Sequence, residues 1–166
     1  MTILMILLAL IAKPQMERPS TEAKLPPQCT GLTVVLESLT PIVKPGQNPR
    51  FAATVKNNSG GTARLLNVLQ GRRSDLQMSY FEVVPTLRGR AVDVPVAVAD
   101  PGPIDEGDFI SLPAGRELEL SIINYSRELS ALPVGVYEMH LLFWRDPLAP
   151  ATTRCSSSMA RLEVAR

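Results

Sequence analysis

Ten consecutive residues near the C-terminus, GVYEMHLLFW (135–144), alternate between two sets of side chains with a period of two. One set is wholly apolar and consists of Tyr137, Met139, Leu141 and Phe143. The other set mixes Glu138 and His140 with apolar residues. A period of two is the repeat of a β-strand that buries one face and turns the other toward water. The stretch therefore predicts a strand whose apolar face lies in a core.

Comparable segments recur at intervals of about ten residues, with Pro- or Gly-bearing turns between them, and helical periodicity is sustained nowhere beyond the N-terminal apolar run. Fifteen prolines fit many short strands better than long helices, because proline is excluded from helix interiors. We predict an all-β chain, an immunoglobulin-like or fibronectin-like antiparallel sandwich of seven or eight strands. Residues 78–85 are predicted as one strand, and residues 89–98 as an edge or bulged strand because they contain Pro95.

The N-terminus predicts two segments that precede the sandwich. Residues 1–12, MTILMILLALIA, carry no charged side chain, are shorter than a membrane-spanning helix and have the length of a signal-peptide core. Residues 13–28 are polar and rich in proline, which predicts an extended tether. The sandwich then occupies residues 29–166. Export is favoured over a buried N-terminal strand or helix of a cytosolic domain, and cleavage of the first segment is left open.

Cys29 and Cys155 are the only cysteines, and they lie just before the first and the last strand-like segments. In an oxidising compartment such a pair predicts a disulfide, and the alternative is two free thiols in a cytosolic protein. Closing so long a loop is expected to stabilise the fold by about 4–5 kcal/mol.

Tyr137 is predicted to be architectural. The run LPVGVY (132–137) looks like the corner that enters a late strand of immunoglobulin-like domains, where a tyrosine hydroxyl binds nearby backbone.

The segments TVKNNSG, YFEV, DFISLPAGRELELSI and LSALPVGVYEMHL resemble those of bacterial immunoglobulin-like domains associated with proteases. These are the propeptide domain of deuterolysin-type metallopeptidases and the bacterial intracellular proteinase-inhibitor family. The resemblance covers about the last two-thirds of the chain and implies a sandwich that binds or masks another protein, such as a peptidase. The chain departs from the propeptide arrangement because no peptidase domain and no His-Glu-x-x-His follow. Any inhibitory role would act on a separate protein.

The charge pattern bears on the kind of partner. A net charge of +1 argues against a nucleic-acid binder, which needs an excess of cationic side chains. A basic stretch nevertheless precedes an acidic loop, and the protein-binding candidates are Arg72, Arg73, Arg88, Arg90 and Trp144. Arginine suits bidentate contacts with carboxylates, and tryptophan is a common anchor in interfaces. The alternatives are arginines spread over exposed loop ends and a packed tryptophan.

Catalytic chemistry is not predicted. His140 is the only histidine and fits a half-exposed sheet position better than a general base, and Cys155 lacks the glycines of a nucleophile elbow. No catalytic residue and no cofactor are predicted. The acidic loop offers one alternative, a calcium site formed by Asp100, Asp105, Glu106 and Asp108, although solvated carboxylates are the simpler interpretation.

Taken together, the sequence predicts a non-catalytic domain that is periplasmic, envelope-anchored or secreted, and that binds another protein. A nucleic-acid partner is not expected, and contact with a membrane is expected only through residues 1–12 if they are retained. Two alternatives stay open. One is a small exported enzyme or calcium-dependent module that uses the acidic loop, and the other is a purely structural or adhesion module.

Overall fold

The computed structural model describes residues 25–67, 76, 79–97, 99–100, 102–122, 127–148 and 154–166. The apolar segment 1–12 and most of the predicted tether 13–28 lie outside the described residues. Within the described part of the chain, no helix combines the length and the apolar character that crossing a membrane requires.

Strands dominate the described residues and confirm the predicted all-β class. The strands are β1 (Leu32–Ser38), β2 (Ile42–Val43), β3 (Phe51–Asn57), β4 (Ala63–Leu66), β5 (Phe81–Leu87), β6 (Arg90–Ala91), β7 (Phe109–Leu112), β8 (Glu117–Ile122), β9 (Gly135–Trp144), β10 (Arg154–Ser156) and β11 (Ala160–Val164). Short 3-10 turns at Glu106–Asp108 and Leu129–Ala131 precede β7 and β9.

The strands form three sheets. A three-stranded sheet has the order β1-β3-β8, and a six-stranded sheet has the order β2-β11-β9-β5-β6, with β10 also paired to β9. Strands β4 and β7 form a separate pair. Among the described strands, all pairings are antiparallel except that between β2 and β11. The predicted count of seven or eight strands is lower than the number present, because β2, β6 and β10 are only two or three residues long.

The buried core draws side chains from the three-stranded and six-stranded sheets, and the alternation along each strand decides which residues belong to it. On β9 the four residues predicted to face a core are at most 2% exposed. On β1, Leu32, Val34 and Leu36 are buried, whereas Val35 between them is 47% exposed. Side chains from both sheets join one buried cluster, in which the rings of Phe81 and Phe143 stack at a centroid distance of 5.9 Å. Burying apolar surface on both sheets at once is what holds them together.

Ser157 and Ser158, in the segment between β10 and β11, link the two sheets by hydrogen bonds. The backbone N–H of Ser158 donates to the Val34 carbonyl at 2.8 Å, which links this segment to β1. The hydroxyl of Ser157 accepts a hydrogen bond from the Leu141 N–H at 2.9 Å, on the β9 side. The Ser157 hydroxyl thus takes the place of a backbone carbonyl between the β9–β10 and β9–β11 ladders. The Leu141 N–H therefore keeps a hydrogen-bond partner, although this part of the chain is buried.

Cys29 and Cys155 form the predicted disulfide. Their Cα atoms are 5.1 Å apart, within the usual range for a disulfide, and they are separated by 126 positions in the sequence. The chain just before Cys29 follows β10. The Ser156 N–H donates to the Pro27 carbonyl at 3.1 Å, and the Ser156 hydroxyl donates to the Pro26 carbonyl at 2.7 Å. The last residues of the predicted tether therefore belong to the folded part.

The strand predicted over residues 89–98 is wrong for most of its length. Only Arg90–Ala91 pair with β5, and further on Val96 makes an isolated bridge with Arg127. Conversely, Pro85 lies inside β5. Its carbonyl accepts a hydrogen bond from the Val92 N–H at 3.0 Å, so the nitrogen that lacks a hydrogen also faces the short edge strand β6. Pro85 therefore removes no hydrogen bond between β5 and the central strand β9, which is why proline is tolerated here.

A candidate binding groove at the β5–β6 hairpin

The hairpin between β5 and β6 places Arg88 at one end of the six-stranded sheet. Leu87 and Arg90 are paired across a two-residue loop, Arg88-Gly89. Both loop residues have positive φ, 53° for Arg88 and 73° for Gly89, as the twist of a tight hairpin favours. Glycine adopts this conformation freely, but a side chain pays about 1–2 kcal/mol, and asparagine is the usual first residue. The turn itself gives no reason for an arginine at position 88.

Beside this hairpin lies a groove of about 610 Å³, which we call the hairpin groove. It is lined by Leu87, Arg88, Gly135, Val136, Tyr137, Glu138, Met159 and Arg161. These residues come from the hairpin, from the start of β9 and from the β11 region. Strand pairing brings the regions together, because β9 lies between β5 and β11 in the sheet.

The apolar lining of the hairpin groove is unusually open to solvent. Leu87 is 42% exposed, Val136 is 45% exposed and Met159 is 54% exposed. Single exposed apolar residues are common on protein surfaces, but three that line one concave site form a patch that another molecule can cover. Methionine adds an adaptable surface because its side chain is unbranched and polarizable.

Two arginines border this apolar patch. Among the residues that the structure describes, neither Arg88 nor Arg161 forms a side-chain hydrogen bond or an ion pair. Arg161 lies opposite Glu138 in the β9–β11 register, yet the two do not come within ion-pair distance. The hydroxyl of Thr86 lies 3.3 Å from the Glu138 carbonyl oxygen and 3.4 Å from its carboxylate Oε2, and it has one hydrogen to donate to either acceptor. The charged lining of the groove is therefore two arginines and one glutamate.

Tyr137 fixes the backbone under the groove. Its hydroxyl donates a hydrogen bond of 2.7 Å to the carbonyl of Pro133, four residues earlier, and its side chain is 2% exposed. The ring lies so close to Gly135 that a Cβ at that position would be 3.2 Å from the hydroxyl oxygen. Burial raises the pKa of the Tyr137 hydroxyl, so the group stays protonated and keeps donating. A buried and hydrogen-bonded tyrosine therefore forms the floor of the groove.

His140 lies further along β9 and is half-buried. Burial lowers the pKa of its imidazole, an effect that the negative charge of Glu138 partly opposes. The structure describes no second histidine or cysteine thiol beside it, since both cysteines are in the disulfide.

The other predicted protein-binding residues are not part of the groove. Arg90 is exposed on β6 beside it but does not line it. Trp144 is partly buried at the far end of β9, about 26 Å from Val136 along the strand. Arg72 and Arg73 lie outside the described residues.

The acidic loop is organised by its own hydrogen bonds. Asp105 caps the short 3-10 turn, and its Oδ1 accepts from the Gly107 N–H at 2.8 Å. Asp108 Oδ2 accepts from the Asp105 N–H at 3.0 Å, which completes a capping box. Asp100 Oδ1 accepts from the Gly102 N–H at 3.0 Å. These three carboxylates shape turns, as acidic residues commonly do.

The fourth acidic residue, Glu106, forms an ion pair of 3.0 Å with Arg64. The guanidinium of Arg64 also lies 3.7 Å above the centre of the Phe109 ring. Across the described residues, no group of three or more His, Cys, Asp or Glu side chains is placed to hold a metal ion. The structure therefore does not bring the four predicted calcium ligands together into one site.

Sequence reasoning missed an ion-pair cluster at the other end of the six-stranded sheet. Glu82 on β5 accepts from the Arg127 Nε at 2.6 Å and from Arg154 on β10. Glu82 and Arg127 are at most 22% exposed, and burial lowers the pKa of both arginines. Residues so far apart in sequence carry no signal that pairs them. Leu87, Met159 and Arg161 were missed for the same reason.

No protein-family model matches the chain, and no curated protein matches it. A solved structure to which the chain is similar is that of Pseudomonas fluorescens alkylpurine DNA glycosylase AlkC bound to DNA containing an abasic site analog. The sequence identity is 11% and the TM-score is 0.42. The match covers 82% of this chain and 31% of that chain. A similarity of this size carries no argument about function.

Proposed function

We propose that the chain is an exported, non-catalytic immunoglobulin-like β-sandwich that binds another protein through the hairpin groove. The observation that carries the proposal is the groove itself, where three half-exposed apolar side chains lie beside two arginines that have no ionic partner among the described residues. Interfaces are built around an apolar centre with aromatic, methionine and arginine side chains enriched. Because the Tyr137 side chain at the floor of the groove is already buried and hydrogen-bonded, it loses little conformational entropy when a partner binds.

The sandwich interpretation is supported by two features of the fold. The three-stranded and six-stranded sheets share one core, and the hydroxyl of Tyr137 binds the backbone at the entrance to β9. The resemblance to propeptide and proteinase-inhibitor domains makes a peptidase the first partner class to test. The Cys29–Cys155 disulfide supports an oxidising, extracytoplasmic location, because such bonds rarely persist in a reducing cytosol.

The experiment that tests this function is photo-crosslinking in cells of the native host. A photoreactive amino acid replaces Met159 in the groove or, as a matched control, Val35, which is 47% exposed on the opposite sheet. We expect a discrete adduct with a second polypeptide from position 159, recovered outside the cytoplasm, and none from position 35. The proposal fails if position 159 gives no adduct, or if both positions give the same one.

A further inference from the structure

We propose that the hairpin groove takes an acidic-apolar peptide segment of the partner, whose carboxylate lies between Arg88 and Arg161 and whose apolar side chains cover Leu87, Val136 and Met159. This inference rests on the proposed function and adds the chemistry of the bound segment.

The charge of the segment follows from the two arginines that line the groove. Arg88 and Arg161 line one groove, and neither has an ionic partner among the described residues. A guanidinium binds a carboxylate through two parallel hydrogen bonds, which makes a carboxylate the best-matched ligand group. Glu138 also lines the groove and offsets one of the two positive charges, so one carboxylate of the partner would neutralise the charge that remains. A cationic segment would be repelled.

The apolar part of the segment follows from the exposed lining. Leu87, Val136 and Met159 are each exposed by about half, and their surface leaves water only if the ligand presents apolar side chains. Polysaccharides commonly stack on aromatic rings, but the aromatic residue that lines the groove, Tyr137, is 2% exposed. An anionic membrane surface is typically bound by a cluster of about four to eight basic side chains, whereas the groove has two arginines and one glutamate. A peptide segment can present both the carboxylate that the two arginines favour and the apolar side chains that cover the concave lining.

The strained backbone of Arg88 also supports a role of its side chain in binding the peptide. The residue adopts a positive φ that asparagine or glycine tolerates better, so its side chain is retained at a cost to the turn. Such a residue is expected to serve recognition rather than folding. It also supplies an unusually clean test, because Arg88→Asn removes the charge without harming the hairpin.

The test measures the binding of short fluorescent peptides to the full chain by anisotropy. The probe alternates leucine and aspartate. Three matched peptides replace aspartate by asparagine, aspartate by lysine, or leucine by alanine. We expect the leucine-aspartate peptide to bind at least about tenfold more tightly than each of the others. Its affinity should fall as ionic strength rises.

Variants assign the binding to the groove. Arg88→Asn and Arg161→Gln should each weaken the leucine-aspartate peptide about tenfold, and Arg88→Asn should melt no lower than the unmodified protein. Arg116→Gln, an exposed arginine that precedes β8 on the other sheet, is the control and should bind normally. The inference is overturned if the asparagine or lysine peptide binds equally well. Normal binding by Arg88→Asn would also overturn it.

Phosphatidylglycerol vesicles separate a lipid ligand from a peptide ligand. Binding to vesicles that is lost in Arg88→Asn, with no binding of the leucine-aspartate peptide, would replace the peptide by a lipid surface. The two proposals fail separately. An adduct from position 159 without peptide binding keeps the protein-binding function and removes the acidic-apolar ligand, whereas the absence of an adduct removes the function itself.

Discussion

Reducing the Cys29–Cys155 disulfide is expected to remove about 5 kcal/mol from the free energy of unfolding. The bond closes a loop across 126 positions, and the chain-entropy model gives about this value for a loop of that length. Domains are stable by only about 5–15 kcal/mol in total, so the loss takes a third or more of the stability. Native contacts change little, because the reduced protein keeps both sulfur atoms and the Ser156 hydrogen bonds to Pro26 and Pro27.

The assay is guanidinium unfolding of the oxidised and reduced protein at one pH. The entropic mechanism predicts a lower midpoint and also a steeper dependence on denaturant after reduction, since an unfolded chain without the cross-link exposes more surface. The variant Cys29→Ala/Cys155→Ala is the control, because the reductant should leave it unchanged. A loss below about 2 kcal/mol with an unchanged slope would refute the reasoning and would place the effect of the bond in native contacts.

Three further predictions concern single side chains. Tyr137→Phe removes the hydrogen bond to Pro133 and should lower stability by about 1–2 kcal/mol in thermal unfolding, whereas Tyr80→Phe should cost less than about 0.5 kcal/mol. Asn57→Ala should cost about 3 kcal/mol in urea unfolding, because Asn57 is fully buried and its side chain makes four hydrogen bonds, two of them to the Gly61 and Leu112 carbonyls. An equal loss in Asn58→Ala, whose side chain is exposed, would contradict this assignment. Because the pKa of His140 is lower in the folded protein, the unfolded chain binds the proton first, and stability should fall as the pH drops below about 6.5. Unfolding midpoints between about pH 7.5 and 5 should lose this part of their pH dependence in His140→Gln.

Strand β9 was predictable because its signals are local. Ten residues alternate without interruption after a Pro-Val-Gly turn, and the strand has the predicted bounds Gly135–Trp144. The disulfide was predictable because the chain has only two cysteines. The short strands β2 and β10 were not, since two or three residues carry too little pattern and each strand is defined by its partner in the sheet. The bounds of β5, predicted over 78–85 and found at Phe81–Leu87, were missed because the sequence does not specify which neighbouring strand the nitrogen of Pro85 faces, and hence whether the strand can continue past it.

The hairpin groove was only partly visible in the sequence. Arg88 stood out as one of several arginines, but its companions were assigned by proximity along the chain. The structure instead groups Arg88 with Arg161 and Met159, more than seventy positions away, and separates it from Trp144. Val136 was recognisable as an apolar residue on the mixed face of β9. What it lies against depends on the register of β9 with β11, which no local pattern specifies.

The arginines at the two ends of the six-stranded sheet differ in their partners, and this contrast supports the proposed position of the binding site. At one end Arg127 and Arg154 both bind Glu82, so their charges are satisfied within the domain. At the other end Arg88 and Arg161 have no ionic partner among the described residues. A folded chain gains little by leaving exposed cations beside half-exposed apolar side chains, and it gains less still by straining a turn to do so. An external carboxylate at the hairpin groove would complete there the arrangement that Glu82 completes at the opposite end.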